Sequence, residues 1–433
     1  MSQRDAPRPA ALVPTGRQLK SYACVRSLER RGIRAVVASE HSSVPQFGSR
    51  YCTEDVRLPS GPDDLPAYRD ALLELAARPE VRTVFPVREV DAYLLARDRE
   101  AFEEHLSVVG PDLPTLRRAH DRLRLAELAA EAGVPYAETR LAGNVDAVDG
   151  PAVVKSCYNL LTGAYVENYP DGAAEEMKDV RYLSAGDRPD ADALAAAMHH
   201  EPVVQEYVRR ANKQLYCGLW LDGEPLATYQ HREVRGRSWV GGGGVYRVTN
   251  HLPAVEAVAH DLLEHLEWSG LACIEYIQDA ETGEWKFLEI NPRMWQSLPA
   301  ALHAGADFPH YCWQVATSDA DAIDPAYEKG VGCHQLYGEL GHLVSLFGDD
   351  SPVDDRPSIP RTALSMVGSL VTDPRFDYLY LDDPRLFLGA LRSIVQSGDG
   401  GGRQFLSGTD TPQPSADGGR PGEPAAQPDD GEE

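Results

Sequence analysis

Along residues 11–97 short apolar runs alternate with amphipathic stretches. ALVP (11–14) precedes a stretch in which Leu19, Ala23 and Leu28 recur near helical spacing. Gly32 stops that helix, and IRAVVAS (33–39) reads as a strand. Residues 64–79 predict a second amphipathic helix, and VRTVFPV (81–87) a further strand. Strands and helices alternating at this length predict a parallel sheet with crossover helices.

Residues 115–133 predict another helix, stopped at Gly133 with Pro135 beyond it. From Pro151 the pattern turns β-rich, in PAVVKS, GAYVENY, EPVVQEYV, LYCGLWLDGEPLATYQHREV, LACIEYIQ and EWKFLEINPR. Asp222-Gly223 and Thr282-Gly283 lie between apolar runs as hairpin turns. A helix over 253–268 separates the last groups, and a mixed segment over 320–396 follows. The expected fold class is therefore α/β and α+β. A Rossmann-like domain spans 10–113, an α+β region 114–315, and a mixed segment 316–396 packs on that region. The first turn of the Rossmann-like domain, Pro14-Thr15-Gly16-Arg17-Gln18, lacks G-x-G-x-x-G, so a dinucleotide is not expected. From Ser397 the chain is rich in Gly and Pro with eight acids and two arginines, a composition that predicts a disordered acidic tail over 397–433.

Charge narrows the function classes. The net charge of −25 argues against a general nucleic-acid binder, which needs clustered cations. Only 6 of the 42 basic residues are Lys, against 36 Arg. A carboxylate-rich, Lys-poor surface suits a halophile, where salt screens self-repulsion; an ordinary acidic protein from a GC-rich genome is the other reading. There is no 18-residue apolar run, and the start MSQRDAPRPAALVPTG has no apolar h-region. A cytoplasmic protein without membrane or nucleic-acid partners is expected. The seven cysteines lie far apart with no CxxC, which fits buried thiols and neither a zinc knuckle nor a disulfide framework.

The densest chemistry lies in LACIEYIQDAETGEWKFLEINPR (271–293). Glu275 sits on the first strand of this hairpin. Glu289 and Asn291, two apart, share one face of the second. Two carboxylates and an amide oxygen are hard ligands suited to Mg²⁺ bridging nucleotide phosphates. Arg293, two further on, shares the face and suits a γ-phosphate or an anionic intermediate. A second cluster, YQHREVRGRSWVGGGGVYRVTN (229–250), sets His231, Arg232, Arg235, Arg237 and Arg247 near Gly241 to Gly244.

LEINPR, preceded by IEYI and a hairpin, resembles the metal-binding end of the ATP-grasp superfamily, and other parts of that pattern follow in order over 115–315. The resemblance implies a two-lobed ATP-grasp domain using ATP and Mg²⁺, with Mn²⁺ as an alternative metal. It maps Lys155, at the end of PAVVKS, onto the lysine that contacts the α- and β-phosphates. YNLLTGAY (158–165) takes the place of the small loop that closes over the phosphates, with one glycine, Gly163. VVQEYV (203–208) resembles the hinge strand, in which Gln205 and Glu206 meet the adenine edge and the backbone of Tyr207 and Val208 adds hydrogen bonds. Arg122 replaces the lysine usual in the first helix. The ribose-contacting acid falls where this chain reads Asn212-Lys213-Gln214. Arg232 and Arg247 are nominated for the acyl phosphate or substrate carboxylate. The resemblance sets Trp295, Gln296 and Ser297 toward the acceptor pocket, with Trp295 also read as partly core. The implied activity is an ATP-dependent carboxylate–amine ligase, acting through an acyl phosphate on small-molecule or peptide acids and amines, with a homodimer possible. Two other readings stay open: carbamoyl-phosphate-synthase-like phosphorylation of bicarbonate or carbamate, and an ATP-binding regulatory protein without turnover.

Overall fold

The computed structural model describes residues 8–177, 179–349 and 355–396; the tail expected over 397–433 lies outside the described residues. Strands β1 (Ala10–Pro14), β2 (Arg34–Ser39), β3 (Glu54–Arg57) and β4 (Val81–Val84) form a parallel sheet in the order β3-β2-β1-β4. Every residue of β1 is buried, as expected of a central parallel strand covered on both faces. Helices Ser21–Arg30, Leu65–Ala76 and Glu89–Arg97 supply that cover.

The helix expected over 115–133 is two helices, Leu113–His120 and Arg122–Glu131. Asp121 breaks them apart. Its backbone is extended, and its carboxylate accepts the Arg124 N–H at 3.0 Å as an N-cap. The break leaves His120 ending one helix and Arg122 opening the next, and both reach the site described below.

A second sheet is antiparallel. It begins with β5 (Thr139–Leu141) and β6 (Ala152–Lys155). A short ribbon, β7 (Leu160–Leu161) with β8 (Glu175–Glu176), intervenes before β9 (Val180–Leu183) and β10 (Val203–Glu206). The sheet order is β5-β10-β6-β9. The third sheet holds β11 (Arg210–Leu221), β12 (Glu224–Gly236), β13 (Gly244–Asn250), β14 (Gly270–Asp279), β15 (Trp285–Asn291) and β16 (Gly332–His334). All its pairs are antiparallel, in the order β15-β14-β11-β12-β13-β16. Asp222 and Gly223, with φ of 50° and 80°, turn β11 into β12 as the Asp-Gly pair leads one to expect.

Alternation along these long strands gives the third sheet two distinct faces. Tyr216, Trp220, Ile274 and Tyr276 pack under helix Pro253–His265. Leu215, Cys217, Leu219 and Cys273 pack instead with Trp295, Phe308 and residues of helix Ser21–Arg30, toward the first sheet. Gly270 seals this junction. Its φ is +93°, and a Cβ there would collide with the Gly110 backbone. Helices Leu336–Gly348, Ile359–Thr372 and Pro384–Gln396 complete the C-terminal part. Among the described residues no helix is long and apolar enough to cross a membrane.

Candidate functional site

The second face of the third sheet carries the chemistry. Glu275 on β14 is the register partner of Glu289 on β15, and Cys273 is that of Asn291. Antiparallel partners share a face, so Glu275, Glu289 and Asn291 stand together as the alternation predicts. Asn291 Nδ2 donates to Glu289 Oε1 at 3.2 Å, and Arg293 Nη2 donates to Asn291 Oδ1 at 3.0 Å. Arg122 reaches across from its helix to Glu289 Oε2 at 3.4 Å while donating to Ser156 O at 2.7 Å. Lys155, at the end of β6, donates to Gln205 Oε1 at 2.8 Å.

Sequence reasoning missed the cation at the centre of this face. Lys213 was expected in a ribose-contacting zone. Instead its ammonium lies 2.8 Å from Glu275 and 3.1 Å from Glu233, bridging the two. Glu233 in turn accepts the Gly244 N–H at 2.9 Å, which fastens the end of the glycine-rich loop to the same group. The parity of Lys213 with Ile277 and Glu233 was the available signal, but it needs the β11–β14 and β11–β12 registers.

These charges set each other's ionisation. Burial would raise the Glu289 carboxyl, but Arg122 and Lys155 outweigh it and hold it at about 2. Burial raises Glu275; Lys213 opposes this, while the Glu289 and Glu233 charges add to it. Burial, then the Arg122 charge, lowers Lys155 to about 8, against the pull of Glu289 and Glu275. The lysine is therefore cationic below about pH 8 and neutral above it. Affinity for a polyphosphate is expected to fall as pH rises through that value. Above it, binding should draw a proton onto Lys155, which calorimetry in two buffers of different ionisation enthalpy measures.

Arg293 is held from the first sheet's side. Its Nε lies 2.6 Å from Oε1 of Glu89, the first residue of helix Glu89–Arg97. Glu89 also meets His120 Nε2 at 3.2 Å. Neither Glu89 nor His120 was singled out from the sequence, because each is far along the chain from the hairpin it serves.

The hinge segment is placed differently from the expectation in detail. Gln205 faces Lys155 and Thr139, and Glu206 pairs with Lys286 at 2.5 Å. The Tyr207 N–H bonds Pro151 O at 3.1 Å, so that donor is not free in this structure for the nucleotide contact expected of it. Val208 is buried. A cleft of about 660 Å³ opens beside the hinge, lined by Glu206, Lys286, Glu138 and Tyr136 among others, and it does not include Lys155, Glu275 or Glu289. A Cβ at Gly163 would displace the Asp171 carboxylate and come within 3.0 Å of the Tyr169 carbonyl, so the chain is tightly packed there. The neighbours Leu160, Leu161, Tyr165 and Val166 are buried in the cluster of the first sheet.

The two nominated arginines part company. Arg247 on β13 is the register partner of Glu233, so it lies on the site face. It is 1% exposed, and Nη1 meets both oxygens of Asp377 at 2.9 and 2.7 Å. Arg232 pairs instead with Gln214 and Val248, on the face that carries Tyr216 and Tyr276. It is exposed there, and the fold does not bring it to Glu275 and Glu289. Trp295 is buried and packs edge-on against Phe308 with ring centroids 4.8 Å apart.

No family model matches the chain, and no curated protein matches it in sequence. Solved structures match it in architecture. The biotin carboxylase domain of 2-oxoglutarate carboxylase from Hydrogenobacter thermophilus, a dimer with MgADP, ADP and bicarbonate, matches with a TM-score of 0.53 at 14% identity, over 75% of this chain and 72% of that one. L-amino acid ligase from Bacillus licheniformis matches at 0.52 and 14% identity, over 74% of this chain and 78% of the other. Biotin carboxylase from Campylobacter jejuni in a β,γ-ATP complex matches at 0.52 and 13% identity, over 74% of each chain. These neighbours are ATP-grasp proteins, and at such identities what they share with this chain is architecture: the chain has the ATP-grasp fold.

Proposed function

We propose that the chain is an ATP- and magnesium-dependent ligase that phosphorylates a carboxylate to an acyl phosphate and condenses it with an amine, releasing ADP and phosphate. One observation carries this reading: Glu275, Glu289 and Asn291 meet on one sheet face beside Lys155, Arg122 and Arg293. The donor set fits magnesium, since its atoms are hard oxygens and Glu289 is ionised across the physiological range. Among the described residues no three His, Cys, Asp or Glu side chains gather to hold a metal alone. The Asn291 amide oxygen would then be the third protein donor beside the two carboxylates. Glu275, Glu289 and Asn291 would hold the magnesium, whose charge would offset that of the triphosphate.

The chain's own groups do the remainder. Lys155 and Arg122 hold the inner phosphates, and Arg293 holds the γ-phosphate and its transferred product. Glu206, which lines the cleft beside the hinge, is the residue of that strand placed to meet the base. A substrate carboxylate is already ionised, so its oxygen attacks the γ-phosphorus in line as the bond to ADP breaks, and no general base is needed. The amine then attacks the acyl carbon and phosphate leaves. Arg247 remains the candidate for substrate carboxylate, because its buried Nε and Nη2 have no protein hydrogen-bond partner. We read residues 10–113 as a Rossmann-like unit, 114–315 as the ATP-grasp unit hinged near 205–208, and 316–396 as a segment packed on it.

The test is ADP release from Mg-ATP with pools of carboxylates and amines, at high salt. The expected result needs both an acid and an amine, and is lost on adding EDTA. Release with bicarbonate alone would favour the carbamoyl-phosphate-synthase-like reading, and tight ATP binding without release the regulatory one.

A further inference from the structure

Arg293 is the group asked to meet the γ-phosphate, yet it lies two residues beyond the end of β15, where a long side chain without fixed partners would wander. Its partners explain why it does not. Glu89 Oε1 lies 2.6 Å from Arg293 Nε, and Glu89 is only 2% exposed. The second oxygen, Oε2, meets His120 Nε2 at 3.2 Å. The other ring nitrogen, Nδ1, meets the Tyr165 hydroxyl at 3.3 Å. Tyr165 is fixed in turn by the Tyr93 and Tyr158 rings, with centroids 5.5 and 5.7 Å away. His120 itself has no exposed surface. The roles are consistent along the chain of contacts: Tyr165 O–H donates to Nδ1, Nε2–H donates to the carboxylate, and the carboxylate pairs with the arginine.

We infer that His120 is a positioning residue: acting through Glu89, it holds the Arg293 guanidinium beside Asn291 and joins it to Tyr165 in the segment after Lys155. A buried carboxylate with one oxygen unbonded would turn or recruit water, and the arginine would follow it. The break at Asp121 is what brings His120 to this point while its neighbour Arg122 serves Glu289. The inference rests on the nucleotide-binding reading above, in which Arg293 contacts the third phosphate.

The test compares binding of Mg-ADP and of a magnesium complex of a β,γ-imido ATP analogue by calorimetry. It uses the full chain with His120→Leu, His120→Gln, Tyr165→Phe, Arg293→Ala, and His120→Leu combined with Arg293→Ala. His120→Leu is expected to weaken the analogue about tenfold and ADP less than about twofold. His120→Gln, which returns an N–H to the carboxylate, should recover most of that loss. His120→Leu should add nothing once Arg293 is gone. Tyr165→Phe removes a single hydroxyl and should show a smaller loss, again for the analogue alone; it carries the test if His120→Leu does not fold. Equal losses for both nucleotides, unchanged discrimination in a folded His120→Leu, or additivity with Arg293→Ala would overturn the inference. Wild-type protein that binds neither nucleotide overturns the ligase reading as well, so the two failures are told apart.

Discussion

Glu289→Gln is expected to abolish acceptor-dependent ADP release, by about a thousandfold or more, while the protein stays folded and still binds ATP. Glutamine keeps the volume and the hydrogen bond to Asn291 but removes the charge. That charge is the one Arg122 and Lys155 hold ionised down to about pH 2. On the proposed reading a bound magnesium ion would have one anionic ligand fewer. Arg122 and Lys155 lose their counter-charge too, so their attraction for phosphate does not fall. The defect should therefore sit in kcat and not in KM for ATP, which separates it from damage to nucleotide binding. Circular dichroism checks the fold, and an ADP assay over a range of ATP concentrations separates the constants. Turnover near that of the wild type would remove Glu289 from the metal set.

Asp377→Ala is expected to cost about 3–5 kcal/mol of stability, read as a lower urea midpoint. The Arg247–Asp377 pair is 1% exposed on both sides, with both carboxylate oxygens on Nη1. Asp377 also accepts from Cys333 Sγ at 3.1 Å, and its N–H bonds His334 O at 2.9 Å. Removing the carboxylate leaves a guanidinium that is 1% exposed without its counter-charge. Repairing the loss by placing a leucine at both positions would show that the pair is there for packing; loss of activity in that stable double variant would assign Arg247 to the substrate. A cost under about 1 kcal/mol for Asp377→Ala would mean that Arg247 finds another anion.

The hairpin was legible because its information is local. Glu289, Asn291 and Arg293 follow at intervals of two, and the turn residues fix how β14 meets β15. Lys155 was legible as the end of an apolar strand, and the parallel first sheet as alternating runs. What was not legible depends on long-range register. Whether His231 or Arg232 faces the site turns on a single-residue parity, and β12 is bulged just beyond, between Glu233 and Arg235. Asp377 is 130 residues from Arg247, and Glu89 lies about 200 residues before the arginine it orients. No periodicity reports such pairings. Asp121 was hidden for another reason: a capping side chain overrode a continuous helical pattern.

The ammonium of Lys213 between Glu275 and Glu233 has a consequence for how the protein lives without its substrate. Clustered acids usually repel one another until a dissolved cation relieves them. Here the chain carries its own counter-ion on a tether. The repulsion between Glu275 and Glu233 is thus relieved from within the fold, before any dissolved cation arrives.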